Sequence, residues 1–131
     1  MKVITLSIKQ KYFDLIASGE KKQEFREIRP TNAKRYFRYL CEGKEYDDPD
    51  NLPEEGAIDL VPVKYDAIKF LTGAYNKGPR PWMLVEVKDA VIEILTDENG
   101  DDLVYEYNGE EYLVSQIVYT LGEVLEVADN T

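Results

Sequence analysis

Lys21, Glu24 and Arg26 stand within six residues of one another in the stretch GEKKQEFREIR, residues 19–29. These side chains could support two kinds of chemistry. In the first they bind: Arg26 can form a bidentate pair with a phosphate or a base edge. Lys21 adds a mobile point charge, and Glu24 can accept from an exocyclic amine while fixing the Arg26 rotamer. In the second they catalyse: a carboxylate can activate water while Lys21 or Arg26 steadies an oxyanion. The bland alternative is a solvated ion pair, worth at most ~1 kcal/mol.

Geometry depends on what this stretch folds into. If 23–29 is a strand, a period of two puts Glu24, Arg26 and Ile28 on one face, with Glu24 and Arg26 about 7 Å apart. Gln23, Phe25, Glu27 and Arg29 take the other face, and Phe25 marks that face as partly core. Lys21 lies in the turn after Gly19, so the three charges can converge at one mouth.

The neighbouring elements follow from pattern. Val3–Lys9 alternates, with Ile4, Leu6 and Ile8 on one face, which predicts a half-buried strand. Tyr12, Phe13, Leu15 and Ile16 recur at helical spacing, and Gly19 closes that helix as a left-handed cap. Pro30 ends the second strand. Thr31 reads as an N-cap, and Ala33, Tyr36, Phe37 and Leu40 predict a second amphipathic helix with Lys34, Arg35 and Arg38 outside. Residues 42–64, rich in turn formers and carboxylates, are expected to be a mobile acidic loop. Within it, DDPDN lacks the spacing of an EF-hand loop.

Later stretches are β-rich. Tyr65–Thr72 is strand-like, and Trp82–Leu95 is one long run of strand character. Leu103–Tyr107 and Glu111–Val114 form a hairpin about Asn108-Gly109. Ile117–Leu121 and Val124–Val127 flank Gly122. Helices come early and most strands late, so the expected class is α+β with a mixed or antiparallel sheet curled into a small barrel.

Composition narrows the function. A length of 131 residues is one domain in size. The chain has no histidine and one cysteine, Cys41. Ser-His and Cys-His dyads, histidine-ligated metals and internal disulfides are therefore excluded. Nothing in the residues calls for a cofactor or a metal. No apolar run approaches the ~20 residues of a membrane helix, and no signal peptide is legible, so a cytoplasmic location is expected. The net charge is −10, yet residues 1–40 hold ten bases and four acids, net +6, while the remaining 91 residues carry −16. A basic N-terminal third on an acidic body suits a local surface for an anionic ligand.

The order strand–helix–Gly19-x-Lys21-x-x-Glu24-x-Arg26, preceded by Leu6-Ser7-Ile8-Lys9 and Tyr12-x-x-x-Ile16, resembles the ASCH domain of the PUA-like superfamily. The late Leu121-Gly122-Glu123-Val124 looks like that family's closing strand. The resemblance is concentrated in residues 3–29 and does not extend to 42–81. It implies a small PUA-like β-barrel with two helices at its rim and a cleft lined by the Lys-x-x-Glu-x-Arg charges. It also implies RNA or a nucleotide-like ligand as partner. Lys9, Lys21, Glu24 and Arg26 are the expected ligand-binding charges, and Tyr75 and Trp82 are candidate stacking surfaces.

Two other functions stand beside this one. Some relatives of the fold are amidohydrolases acting on acylated cytidine, with a lysine at the position of Lys21, and others are reported to cleave RNA. In the amidohydrolases the nucleophile is a threonine at the position that Glu24 occupies here. The substitution removes the nucleophile, leaving Lys21 and Glu24 as the catalytic candidates of a metal-independent hydrolase. Thr5, Ser7 and Thr72 are substitute hydroxyls. A protein-interaction adaptor, using the acidic 42–64 segment and the basic surface of Lys34, Arg35 and Arg38, is the third reading.

Overall fold

The computed structural model describes residues 1–73 and 80–128. In chain order the elements are β1 (Val3–Ser7), α1 (Gln10–Ala17), β2 (Gln23–Ile28), α2 (Ala33–Tyr36), β3 (Phe37–Cys41), β4 (Lys44–Tyr46), a 3-10 turn (Pro49–Asn51), β5 (Ile58–Pro62), β6 (Ala67–Leu71), β7 (Trp82–Ile94), β8 (Val104–Tyr107), β9 (Glu110–Leu113) and β10 (Ser115–Ala128). Strands hold 54% of the residues and helices 12%, so the fold is a β-rich α+β fold. The strand orders are β1-β6-β7-β10-β2, β4-β3-β5 and β8-β9. No helix among the described residues is long and apolar enough to cross a membrane.

The chain divides into two compact units. One comprises Met1–Glu24, Lys64–Ala90 and Tyr119–Thr131, the other Phe25–Val63 and Val91–Val118. The first unit contains ten bases and nine acids; the second contains six bases and seventeen acids, net −11.

In the first unit, β1 pairs in parallel with β6, and β6 pairs antiparallel with β7. Their registers build two rows of side chains: Ile4–Ile68–Val85 and Leu6–Phe70–Met83. All six are buried, and Ile68, Phe70 and Met83 are completely so. The alternation read in residues 3–9 is therefore the buried face of a real strand. From α1, Phe13 and Ile16 are buried, while Tyr12 is 40% exposed. Gly19 ends this helix with φ +84°, a value an L side chain rarely adopts. The carbonyls of Ile16 and Leu15 then accept from the N–H groups of Gly19 and Lys21 at 3.1 and 3.0 Å, as a left-handed cap requires.

In β2 the period of two holds: Glu24 and Ile28 are buried and Arg26 is half-buried. Phe25 does not mark a second core face, since it is 47% exposed. Only one face of β2 turns inward, and Glu24, Arg26 and Ile28 occupy it.

Two further expectations are corrected in the second unit. The second helix stops at Tyr36, and Phe37–Cys41 is strand β3. Ala33, Tyr36, Phe37 and Leu40 fit the helical period, but Phe37–Cys41 is rich in aromatic and apolar residues that suit a strand. It pairs antiparallel with β4 on one side and β5 on the other, and that pairing outweighs the spacing. The segment 42–64 is accordingly not one loop but contains β4, a 3-10 turn and β5. Glu42 and Gly43, at φ +50° and +77°, close the β3–β4 hairpin. Within DDPDN, Asp48 caps the 3-10 turn by accepting from the N–H of Asp50 at 2.9 Å. In place of two short strands around Gly122, β10 runs unbroken from Ser115 to Ala128.

The Asn108-Gly109 hairpin forms as expected, with φ +52° and +79° at its two turn residues and Tyr105 opposite Tyr112. The Tyr112 hydroxyl donates to Glu110 Oε2 at 3.0 Å, and this bond, more than any other effect, raises the Tyr112 pKa above its ordinary 10.0. Burial, and secondarily the charge of Asp48, raises that of Tyr39. A raised folded-state pKa means that the neutral phenols favour the folded chain. That contribution is complete below about pH 10 and is lost as pH rises through the folded values. Absorbance titration near 295 nm should therefore show Tyr39 and Tyr112 among the last phenolates to form. Tyr112→Phe should delete one late component and leave the early ones.

Candidate functional site

The first unit contains a hollow of about 350 Å³ at the C-terminal end of α1. Ser18 and Gly19 form one side, Leu121, Gly122 and Glu123 of β10 another, and Lys21, Lys22 and Lys88 also line it. Three cations and one carboxylate thus share one small concavity. These lysines lie near the carbonyl end of α1, whose partial negative charge they complement.

Lys21 is held from two directions. Its Nζ lies 3.9 Å from Glu24 Oε1 and donates to the carbonyl of Gln23. Glu24 is 7% exposed and is the one buried charged side chain among the described residues. This is therefore not a solvated surface pair. A carboxylate taken out of water is tolerated only with a partner, so Glu24 fixes where the Lys21 ammonium stands. The position of Glu24 follows from the strand period, and that of Lys21 from the cap at Gly19.

On the β10 side, residue 122 leaves room for its neighbours because it has no side chain. A Cβ at Gly122 would lie 2.0 Å from Glu86 Oε1 and 3.1 Å from the Cε of Lys88. The glycine lets the Glu86 carboxylate and the Lys88 stem lie against β10. A side chain there would force both to move, which gives this mid-strand glycine its structural reason.

The remaining candidates are placed as follows. Lys9 is exposed at the N-cap of α1, where its carbonyl accepts from Tyr12 and Phe13 N–H at 3.0 Å each, and it is not part of the hollow's lining. Arg26 is half-buried on the inward face of β2, within the residues of the second unit. Trp82 opens β7 opposite Leu71, with Lys69 Nζ 4.7 Å from its ring centre, and is likewise not a lining residue. Tyr75 lies outside the described residues. None of the hydroxyl residues Thr5, Ser7 and Thr72 lines the hollow; Thr72 is buried, and Ser7 Oγ accepts from Arg80 at 3.4 Å.

Sequence reasoning missed Lys22, Lys88 and Tyr12. Lys88 comes from a remote stretch, and nothing local marks it. Tyr12 was counted with the apolar face of its helix, yet its ring is 40% exposed, with Lys11 and Lys21 ammoniums 5.8 and 5.9 Å from its centre. It is the aromatic surface beside Lys21. Among the described residues no group of three or more histidine, cysteine or acidic side chains is arranged to hold a metal ion.

Comparison with known proteins finds no family model, no curated protein and no solved structure that matches this chain.

Proposed function

We propose that this chain is a cytoplasmic reader of single-stranded RNA or of a modified nucleotide, an ASCH module whose strands make a PUA-like barrel. The observation that carries the reading is the hollow of Lys21, Lys22 and Lys88, with Lys21 tethered to the buried Glu24. A phosphate is the group this arrangement suits. Three lysines that line one concavity can neutralise it, and a Lys21 already held by Glu24 and the Gln23 carbonyl loses less freedom on binding than an unrestrained lysine would. Tyr12, flanked by Lys11 and Lys21, offers a face for a base. Arg26 lies two residues beyond Glu24 on the same strand, at the position of the forked donor in the Lys-x-x-Glu-x-Arg pattern. The acidic remainder of the chain restrains indiscriminate binding and leaves recognition to the basic part.

The test is equilibrium binding of a fluorescent single-stranded RNA of about ten nucleotides, and of the same sequence as duplex, over graded salt. The expected result is preference for the single strand, with log K falling linearly in log salt. No binding to the single strand at about 50 mM salt, where electrostatic contacts to a nucleic acid are strong, would overturn the proposal.

A further inference from the structure

The second unit has a hollow of its own, about 270 Å³ in volume, and its lining differs in kind. Four aromatic rings meet there: Phe37 and Tyr39 from β3, Tyr105 from β8 and Tyr112 from β9. Phe37 and Tyr39 touch edge to face, with centres 5.2 Å apart. Tyr105 and Tyr112 stack at 5.7 Å with 24° between their planes. All four are half-buried, so each ring is seated in the fold and still reachable from the hollow. Glu111 and Arg29 are the charged lining residues. Arg29 is already engaged, its Nη2 lying 2.6 Å from Glu27, whereas Glu111 is exposed and has no ion-pair partner among the described residues.

We propose that this hollow binds an organic cation, an alkylammonium or guanidinium group carried on a small molecule. Two independent features support this assignment. Aromatic faces attract cations through the ring quadrupole, and this site already holds one: the Arg29 guanidinium lies 4.4 Å from the centre of the Tyr105 ring. The surrounding charge has the matching sign, because the unit that contains the hollow carries a net −11. Such a field concentrates cations and repels phosphates. A nucleotide would meet favourable rings here but an unfavourable potential, whereas an organic cation finds both favourable.

The tyrosine hydroxyls extend the preference. Those of Tyr39 and Tyr112 stay protonated beyond the ordinary range, so at neutral pH the rings offer neutral π faces and hydroxyl dipoles. The preference for a cation then rests on Glu111, whose removal should lower affinity without altering the apolar walls.

The experiment titrates the whole chain with tetramethylammonium and with arginine ethyl ester, following the tyrosine ring signals by NMR. tert-Butanol, a neutral compound of similar size, and cytidine monophosphate are run in parallel. Saturable shifts at Tyr39, Tyr105 and Tyr112 with the two cations, and none with tert-butanol, are expected. Glu111→Gln should weaken cation binding roughly three-fold, and Tyr105→Leu roughly five-fold or more, the size expected of single cation–π and ion contacts at a partly exposed site. Equal binding of tert-butanol would make the hollow merely apolar and end the proposal. Preferential binding of cytidine monophosphate at these tyrosines, or no saturable shift with either cation, would end it as well. Glu111 is exposed and its variant keeps the same shape, so loss of folding does not confound that arm.

Discussion

Replacing Lys21, Lys22 and Lys88 together by alanine should weaken binding of single-stranded RNA on the order of a hundredfold at low salt and flatten its salt dependence. Each lysine that neutralises a phosphate contributes about 0.7 to the log–log slope for a single strand, so losing three contacts should reduce the slope by roughly two. The prediction is local, and it needs a control for total charge. Lys34, Lys44 and Lys64 are exposed and do not line the hollow. Their triple alanine variant has the same net charge as the first. If the hollow is the binding site, the control should keep most of the affinity and most of the slope. If both variants lose affinity alike, attraction is a property of the whole surface and the hollow has no special place. Folding is not expected to intervene, because Lys22 and Lys88 are exposed and the Glu24 that loses its Lys21 contact can be relieved in a matched variant carrying Glu24→Gln.

Phe70→Ala should be among the most destabilising single changes, costing about 3–5 kcal/mol. Phe70 is completely buried and stands between Leu6 and Met83 in a row that crosses three strands. Removing its ring leaves a void whose walls belong to paired strands and can collapse only in part. Urea unfolding should show a lower midpoint with an unchanged slope. Phe25→Ala is the companion measurement: at 47% exposure it should cost about 1 kcal/mol or less. A loss below about 1 kcal/mol at Phe70 would mean that the β1–β6–β7 rows are not the core of the first unit.

What could be read in advance was what short-range chemistry decides. Gly19 closing α1, the Asn108-Gly109 turn and the alternation of Ile4 and Leu6 each depend on a few adjacent residues. That Glu24, Arg26 and Ile28 share a face follows from the strand period alone, but the period does not say that this face, rather than that of Phe25, turns inward. The β-barrel expected from the element order and from the ASCH resemblance remains part of the functional proposal. What could not be read was decided by remote partners. Ala33, Tyr36, Phe37 and Leu40 satisfy a helical spacing, and only the strands on either side of Phe37–Cys41 show why the chain extends there instead. Lys88 reaches the Lys21 hollow through the register of β7, which no local window contains. The aromatic hollow gathers rings from three strands, and each of those tyrosines, taken singly, reads as ordinary strand composition.

Cys41 is the only thiol in the chain. It sits in the middle strand of β4-β3-β5, 1% exposed, with its Sγ 3.8 Å from the carbonyl of Glu55. A thiol-modifying reagent must wait for that three-stranded layer to part before it can react. The unaltered protein therefore carries a chemical stopwatch for the breathing of its second unit, readable by mass spectrometry without any engineered label.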